Sequence, residues 1–268
     1  ERAVLRLLDK SESKLSLESV GMQGDVLARF NHLLAQPHGI ILVTGPTGSG
    51  KTTTLYAGLQ RLDTQGSNIM TVEDPIEYEL AGVGQTQVNA KIDLDFAKAL
   101  RAILRQDPDV IFVGEMRDIE TVTAALTAAE TGHLVLSTLH TTDATETVNR
   151  IIDFFPPHEQ AQIRLSLAAS LRGIVCQRLV PRADGEGRCV AMEICVNTGR
   201  VAEALANPEK TADIEQLVKD GSFYGMQSFD QSLISLFRDG VITLDAALVA
   251  STDPHDLTVE LRRLGLVA

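Results

Sequence analysis

Ile40-Ile41-Leu42-Val43 runs without a break into Thr44-Gly45-Pro46-Thr47-Gly48-Ser49-Gly50-Lys51-Thr52-Thr53, and this passage decides the fold. Four consecutive apolar residues with no polar face are expected of a strand covered on both sides. The residues Gly45 to Thr52 fit G-x-x-x-x-G-K-[ST] at every position. Glycines let the backbone curl until its N–H groups converge on phosphate oxygens, while the following helix presents its positive end. Lys51 then reaches the outer phosphates of a nucleoside triphosphate, and the Thr52 hydroxyl is placed to ligate Mg²⁺. Gly45, Pro46, Thr47, Gly48, Ser49, Gly50, Lys51, Thr52 and Thr53 are therefore expected to hold ATP.

Outward from this passage the pattern repeats. Further short apolar runs lie at Ile69 to Val72, Val110 to Val113 and Leu134 to Leu139, with helical segments between several of them. Upstream, Val26, Phe30, Leu33 and Leu34 recur at helical spacing before Pro37 and Gly39. Strands alternating with helices predict an α/β fold with a mostly parallel sheet. Residues 2–9 read as one more strand, followed by a polar stretch. After Pro156-Pro157 an amphipathic stretch runs to about Arg172. A hairpin is expected next, with Ile174 to Val180 and Arg188 to Val196 joined through Asp184-Gly185-Glu186-Gly187. Short helices punctuated by Gly221, Gly225, Gly240 and Gly265 follow.

A hydrolase also needs a carboxylate that can orient water, and in open α/β sheets such groups sit at strand C-terminal ends. Asp109-Val110-Ile111-Phe112-Val113-Gly114-Glu115 delivers one: Glu115 emerges just beyond a buried strand and is the expected general base, meeting Mg²⁺ only through water. The commoner version of this motif carries Asp where Gly114 stands. Glu73 and Asp74 follow the Ile69 strand, Glu73 being the stronger site candidate and Asp74 suiting a turn before Pro75. His133 and His140 flank the Leu134 strand, with backbones about 20 Å apart. His140, on the nucleotide side, suits a sensor of the terminal phosphate; His133 suits a structural role. On the helix beginning near Asp95, Phe96, Leu100, Ile103 and Leu104 form the core face. Arg101 and Arg105 share another, which calls for an acidic neighbour or a phosphate opposite them.

The net charge of −12, the absence of Trp and a 4% aromatic content argue against nucleic-acid translocation, which needs a basic channel carrying aromatic residues. No apolar run approaches the roughly 18 residues needed to span a bilayer. Cys176, Cys189 and Cys195 are odd in number and form no C-x-x-C pair, so no zinc is expected and a reducing, cytoplasmic setting is. The first residue is Glu1, not Met, which suggests a fragment of a longer chain.

Four ordered motifs resemble the secretion ATPase superfamily, which comprises type II secretion ATPases, type IV pilus assembly ATPases and pilus retraction ATPases. They are Gly45 to Thr54, then Thr71-Val72-Glu73-Asp74-Pro75-Ile76-Glu77-Tyr78, then Leu104 to Asp109 with Gly114-Glu115-Met116-Arg117-Asp118, and Thr131-Gly132-His133 with Ser137 to Thr141. The resemblance implies a RecA-like P-loop ATPase core in a homo-hexameric ring. Such a ring uses ATP and Mg²⁺ to move an inner-membrane platform protein, touching the membrane only through partners. It implies an end of an N-terminal domain and linker over residues 1–14, a core over 15–172 and a mainly helical C-terminal domain over 173–268. It also implies that Glu115 acts in hydrolysis, that Glu73 and His140 face the nucleotide, and that Arg101 and Arg105 lie near the phosphates or the subunit interface. Arg6 matches the second of two arginines that reach the nucleotide from the preceding domain; the first would lie upstream of residue 1. Many assembly and secretion members insert a four-cysteine zinc module after the position of Val180, whereas Pro181 to Arg188 runs straight through here. That passage and Gly225 to Asp230 are similar to retraction ATPases, while Arg2 to Lys10 and Lys51 to Tyr56 look like assembly-type enzymes. The reading is pilus assembly or type II secretion, with retraction as the alternative. A nucleic-acid translocase and a non-hydrolysing scaffold are the remaining rivals.

Overall fold

The computed structural model describes residues 15–62 and 64–267. The strand expected over residues 2–9, and Arg6 with it, lie outside the described residues. The chain runs α1 (Gly24–Leu34), β1 (Gly39–Thr44), α2 (Lys51–Leu59), β2 (Ile69–Glu73), β3 (Val83–Gln87) and α3 (Phe96–Ile103). It continues through β4 (Val110–Val113), α4 (Ile119–Glu130), β5 (Leu134–Leu139), α5 (Ala144–Asp153), α6 (Pro157–Ser170), β6 (Leu171–Pro181) and β7 (Arg188–Val196). Five further helices close it: α7 (Gly199–Ala206), α8 (Asp213–Asp220), α9 (Phe229–Arg238), α10 (Leu244–Ala250) and α11 (Pro254–Arg263).

Among the described residues the strands form one seven-stranded sheet in the order β3-β2-β4-β5-β1-β6-β7. All pairings are parallel except β6 with β7. β1 lies between β5 and β6 and every residue of it is buried, as an uninterrupted apolar run requires. Its side chains alternate between two apolar layers. Ile40 and Leu42 join the cluster that includes α3 to α6, and Ile41 and Val43 join the one beneath α1 and α2.

The helices begin where the sequence supplies caps. The Asp95, Asp118 and Asp143 side chains each accept a 2.7 Å bond from the backbone N–H three residues on, at the starts of α3, α4 and α5. Each such cap stabilises its helix by about 1 kcal/mol. These caps fix where the chain leaves the sheet, and so where the strand-end side chains sit.

Two elements depart from expectation. β3 is a strand although Val83-Gly84-Gln85-Thr86-Gln87 has no apolar pattern; it pairs with β2 at the sheet edge, where polar side chains can face water. The hairpin was expected to open the C-terminal domain at residue 173. Instead β6 pairs with β1 from Ile40 to Thr44 and extends the sheet across that boundary. Ile174, Val175 and Cys176 are buried there, and the cluster on the α3 to α6 face runs on into Leu205, Val218, Leu233 and Leu257 of the terminal helices. Residues 171–181 and 188–196 thus lie in the same sheet as β1.

Candidate active site

The turn between β1 and α2 has the backbone its glycines permit. Gly48 and Gly50 take φ of +78° and +87°, and Gly45 takes +143°. At Gly45 a Cβ would come within 2.3 Å of the Gln177 carbonyl oxygen and 2.6 Å of Ser49 Oγ, so β6 presses directly against the turn. The Gln177 side chain adds a second clamp, donating to the Ser49 carbonyl at 2.6 Å. Lys51 is buried, its ammonium donating to the carbonyls of Gly45 at 2.8 Å and Pro46 at 3.2 Å. Burial holds that amine below its ordinary pKa, with the Glu115 carboxylate pulling the other way.

The C-terminal ends of β1, β2, β4 and β5 open on one cleft of about 720 Å³, lined by the turn and by Glu73, Asp74, Glu115, Arg117 and His140. Thr52 and Thr53 line it from the start of α2. A chain of polar contacts crosses the cleft. Lys51 Nζ lies 3.4 Å from His140 Nδ1, and His140 Nε2 lies 3.3 Å from Glu115 Oε1. Glu115 Oε2 accepts from Arg117 Nη2 at 2.7 Å and Nε at 2.8 Å, and Arg117 reaches Asp74 at 3.9 Å. An ammonium has only protons to give and a carboxylate none. His140 between them is therefore satisfied as the tautomer with Nδ1 accepting and Nε2–H donating. The bond to Glu115 raises the Arg117 guanidinium pKa further, so that cation is permanent.

Glu73 lines the same cleft but is committed to its own shell. It is buried at the end of β2, where it accepts from Tyr56 Oη, from Thr71 Oγ1 at 2.5 Å and from Gln85 Nε2 at 3.0 Å. The Tyr56 hydroxyl also accepts from the Glu77 N–H at 3.3 Å. Burial and the Glu73 carboxylate raise the Tyr56 pKa, which keeps the phenol protonated and donating.

Gly114 stands where Asp is commoner, and its surroundings say why glycine suits this chain. A Cβ there would lie 3.2 Å from the Val72 carbonyl oxygen and 3.5 Å from Glu73 Cα, crowding β2. Asp74, one strand over, lines the cleft instead.

Arg101 and Arg105 lie outside this cleft. Arg101 is exposed and 3.7 Å from Glu120 of α4, and Arg105 turns back onto the Arg101 carbonyl at 2.7 Å. Glu120 is thus an acidic neighbour of Arg101 alone. His133 sits at the opposite end of β5, where Nδ1 meets the Ala128 carbonyl at 2.9 Å at the end of α4. Sequence reasoning left Arg117, Tyr56 and Thr138 out of the site. Thr138 donates to the Gly114 carbonyl at 2.6 Å and shapes the bend that presents Glu115. A tyrosine in the first turns of a buried helix was the available signal, since a buried phenol needs a partner.

The profile of the type II/IV secretion system protein family matches residues 1–224. The chain belongs to that family. Among relatives, this chain is 55% identical to the type II secretion system protein HxcR of Pseudomonas aeruginosa over 74% of its length and 43% of the relative's. It is 55% identical to the type II secretion system ATPase E of Vibrio cholerae over 67% of its length and 35% of the relative's. It therefore spans less than half of these relatives. Among solved structures, the pilus retraction motor PilT with bound ADP superposes with a TM-score of 0.77 at 42% identity, covering 91% of this chain and 69% of PilT. The Legionella pneumophila ATPase DotB gives 0.76 at 29% identity, covering 87% and 64%.

Proposed function

We propose that this chain is the ATP-hydrolysing part of a homo-hexameric motor that drives type IV pilus assembly or type II protein secretion. The observation that carries the proposal is the convergence of Lys51, His140 and Glu115 at the mouth of the glycine turn. Lys51 and the backbone N–H groups of Gly48 to Thr53 bind the phosphates. His140, fixed between Lys51 and Glu115, meets the outermost phosphate. Glu115 Oε1 orients the attacking water and takes its proton once the nucleotide draws His140 away.

The donor set suits Mg²⁺: the Thr52 hydroxyl lines the cleft as a hard oxygen ligand, with the Glu115 carboxylate in reach through water. When bound, the ion neutralises charge on the outer phosphates. Arg101, exposed on α3, Arg105, exposed in the turn just after it, and Arg6 are proposed to meet phosphates or the neighbouring chain in the ring. The partner is an inner-membrane platform protein. No helix of the described residues is long and apolar enough to cross a membrane, which fits a cytoplasmic protein peripheral to the inner membrane through that partner.

The likeness to PilT supports retraction as a second reading, since it extends over 91% of the chain. The higher identity to type II secretion proteins favours the first. Glu115→Gln is the test of chemistry: ATP binding is retained and turnover falls by at least about a hundredfold. Unchanged turnover would remove Glu115 from the reaction. Ring dependence appears as specific activity that rises with protein concentration, and activity flat on dilution of a monomeric chain would refute it. Deleting the full-length gene separates the biological readings by whether pili vanish, accumulate, or protein export stops.

A further inference from the structure

Along β7, Cys189, Ala191, Glu193 and Cys195 all point into the cluster that holds α3 to α6, and three of the four belong there. Glu193 is the exception: a carboxylate 8% exposed in an apolar row. Such a group needs a partner, and Oε1 accepts from the backbone N–H of Ala144 at 2.8 Å. Ala144 is the first residue of α5, so the carboxylate sits on the positive end of that helix and satisfies a donor that the helix itself cannot.

The placement matters because of what precedes Ala144. Residues 140–143 form the link from β5 to α5, and His140 stands at its other end, four residues and at most about 14 Å of chain away. Within the link, the Asp143 carbonyl accepts from Thr147 Oγ1 at 2.6 Å, and Thr141 Oγ1 lies 2.6 Å from the same hydroxyl. These contacts tie the link to α5. Glu193 ties α5 to the sheet.

From this geometry we infer that Glu193 is a positioning residue for the nucleotide site: by anchoring the N-terminus of α5 to β7, it holds the 140–143 link so that the His140 imidazole stays between Lys51 and Glu115. Glu193 is not among the residues that line the cleft of Lys51, Glu115 and His140. It acts through a backbone N–H, so any acceptor of the same reach serves, and removing either partner of the bond has the same effect. The inference rests on the ATPase reading only for its kinetic arm.

The test compares Glu193→Ala, Glu193→Gln and Ala144→Pro with the wild-type chain. Proline suits the first helical position, with Asp143 already extended before it; it removes the donor and puts its ring where the Glu193 carboxylate sits, so it displaces that side chain. Two readouts are taken: the His140 ring signals by ¹⁵N-edited NMR, and steady-state ATP turnover. Glu193→Ala and Ala144→Pro are expected to shift the His140 signals and to lower kcat about tenfold, with KM for ATP within about twofold. Glu193→Gln keeps an acceptor and is expected to retain the His140 signals and most of kcat. In a His140→Ala background, Glu193→Ala adds less than about twofold, because both changes act through one group. His140 signals unmoved by Glu193→Ala, or a defect that multiplies with that of His140→Ala, overturns the inference. If Glu193→Ala does not fold, Ala144→Pro decides on the same readouts. Turnover absent from the wild-type chain counts against the ATPase reading alone, and the ring signals still decide this one.

Discussion

Replacing Glu193 by glutamine gives a stability effect whose size follows from burial. The Glu193 carboxyl is pushed up from its ordinary 4.5 to about 7, first by burial and then by Asp143 at the α5 N-cap. The Ala144 N–H, the Cys176 thiol and Arg178 act in the opposite direction. A folded-state value above the unfolded one means that the native chain holds a proton the unfolded chain has released. Stability therefore falls as pH rises from about 4.5 to about 7 and is flat above that window. The whole span is worth about 3 kcal/mol, of which all but about 1 kcal/mol develops between pH 5 and pH 8. Glutamine is isosteric, accepts from Ala144 and never ionises, so it removes this dependence. Urea unfolding of both proteins at pH 5 and pH 8 reads it directly. The advantage of Glu193→Gln over wild type should grow by about 2 kcal/mol between the two conditions, with unchanged m-values. An advantage equal at both pH values, or one that shrinks, would refute the burial argument.

Tyr56→Phe removes a donor to buried Glu73 and an acceptor for the Glu77 N–H. It should destabilise the fold by about 1–3 kcal/mol in the same unfolding assay, and a change below about 0.5 kcal/mol would show that the carboxylate does not depend on the phenol. Gly45→Ala puts a methyl 2.3 Å from the Gln177 carbonyl at a φ that alanine avoids. Fluorescent-nucleotide titration should show affinity reduced by at least about tenfold, and wild-type binding would contradict the close packing of β6 on the turn.

How much of this was legible beforehand depended on whether the deciding contact was local. β1 and its turn could be read because burial on both faces leaves an unbroken apolar run and the turn chemistry lies within a few residues. The ends of β4 and β5 followed from the same logic, and Glu115 and His140 do meet. β3 was opaque: its polar residues are there to pair with β2 and to lend Gln85 to Glu73, a role that no periodicity encodes. The common face of Arg101 and Arg105 was visible, but not Glu120, which arrives from another helix. The grip of Arg117 on Glu115 spans two residues in a bend, where helical and strand spacing rules give no guidance. Glu193 showed only as a charge in an apolar row; its partner lies 49 residues away in sequence.

The seating of β6 against both β1 and the glycine turn limits how a motor built as proposed could do mechanical work. Gln177 touches the turn with its backbone and its side chain, and the same strand continues through a nine-pair antiparallel ladder into the terminal helices. The glycine turn, the hairpin and the apolar layer under the terminal helices are thus continuously packed. In the proposed motor, a stroke in which the tail swings about the nucleotide would have to break the packing of Leu205, Val218, Leu233 and Leu257 on the sheet. In the proposed ring, force released at a bound triphosphate would then leave by shifting the whole block against its neighbours, and the joints of such an engine would lie between blocks.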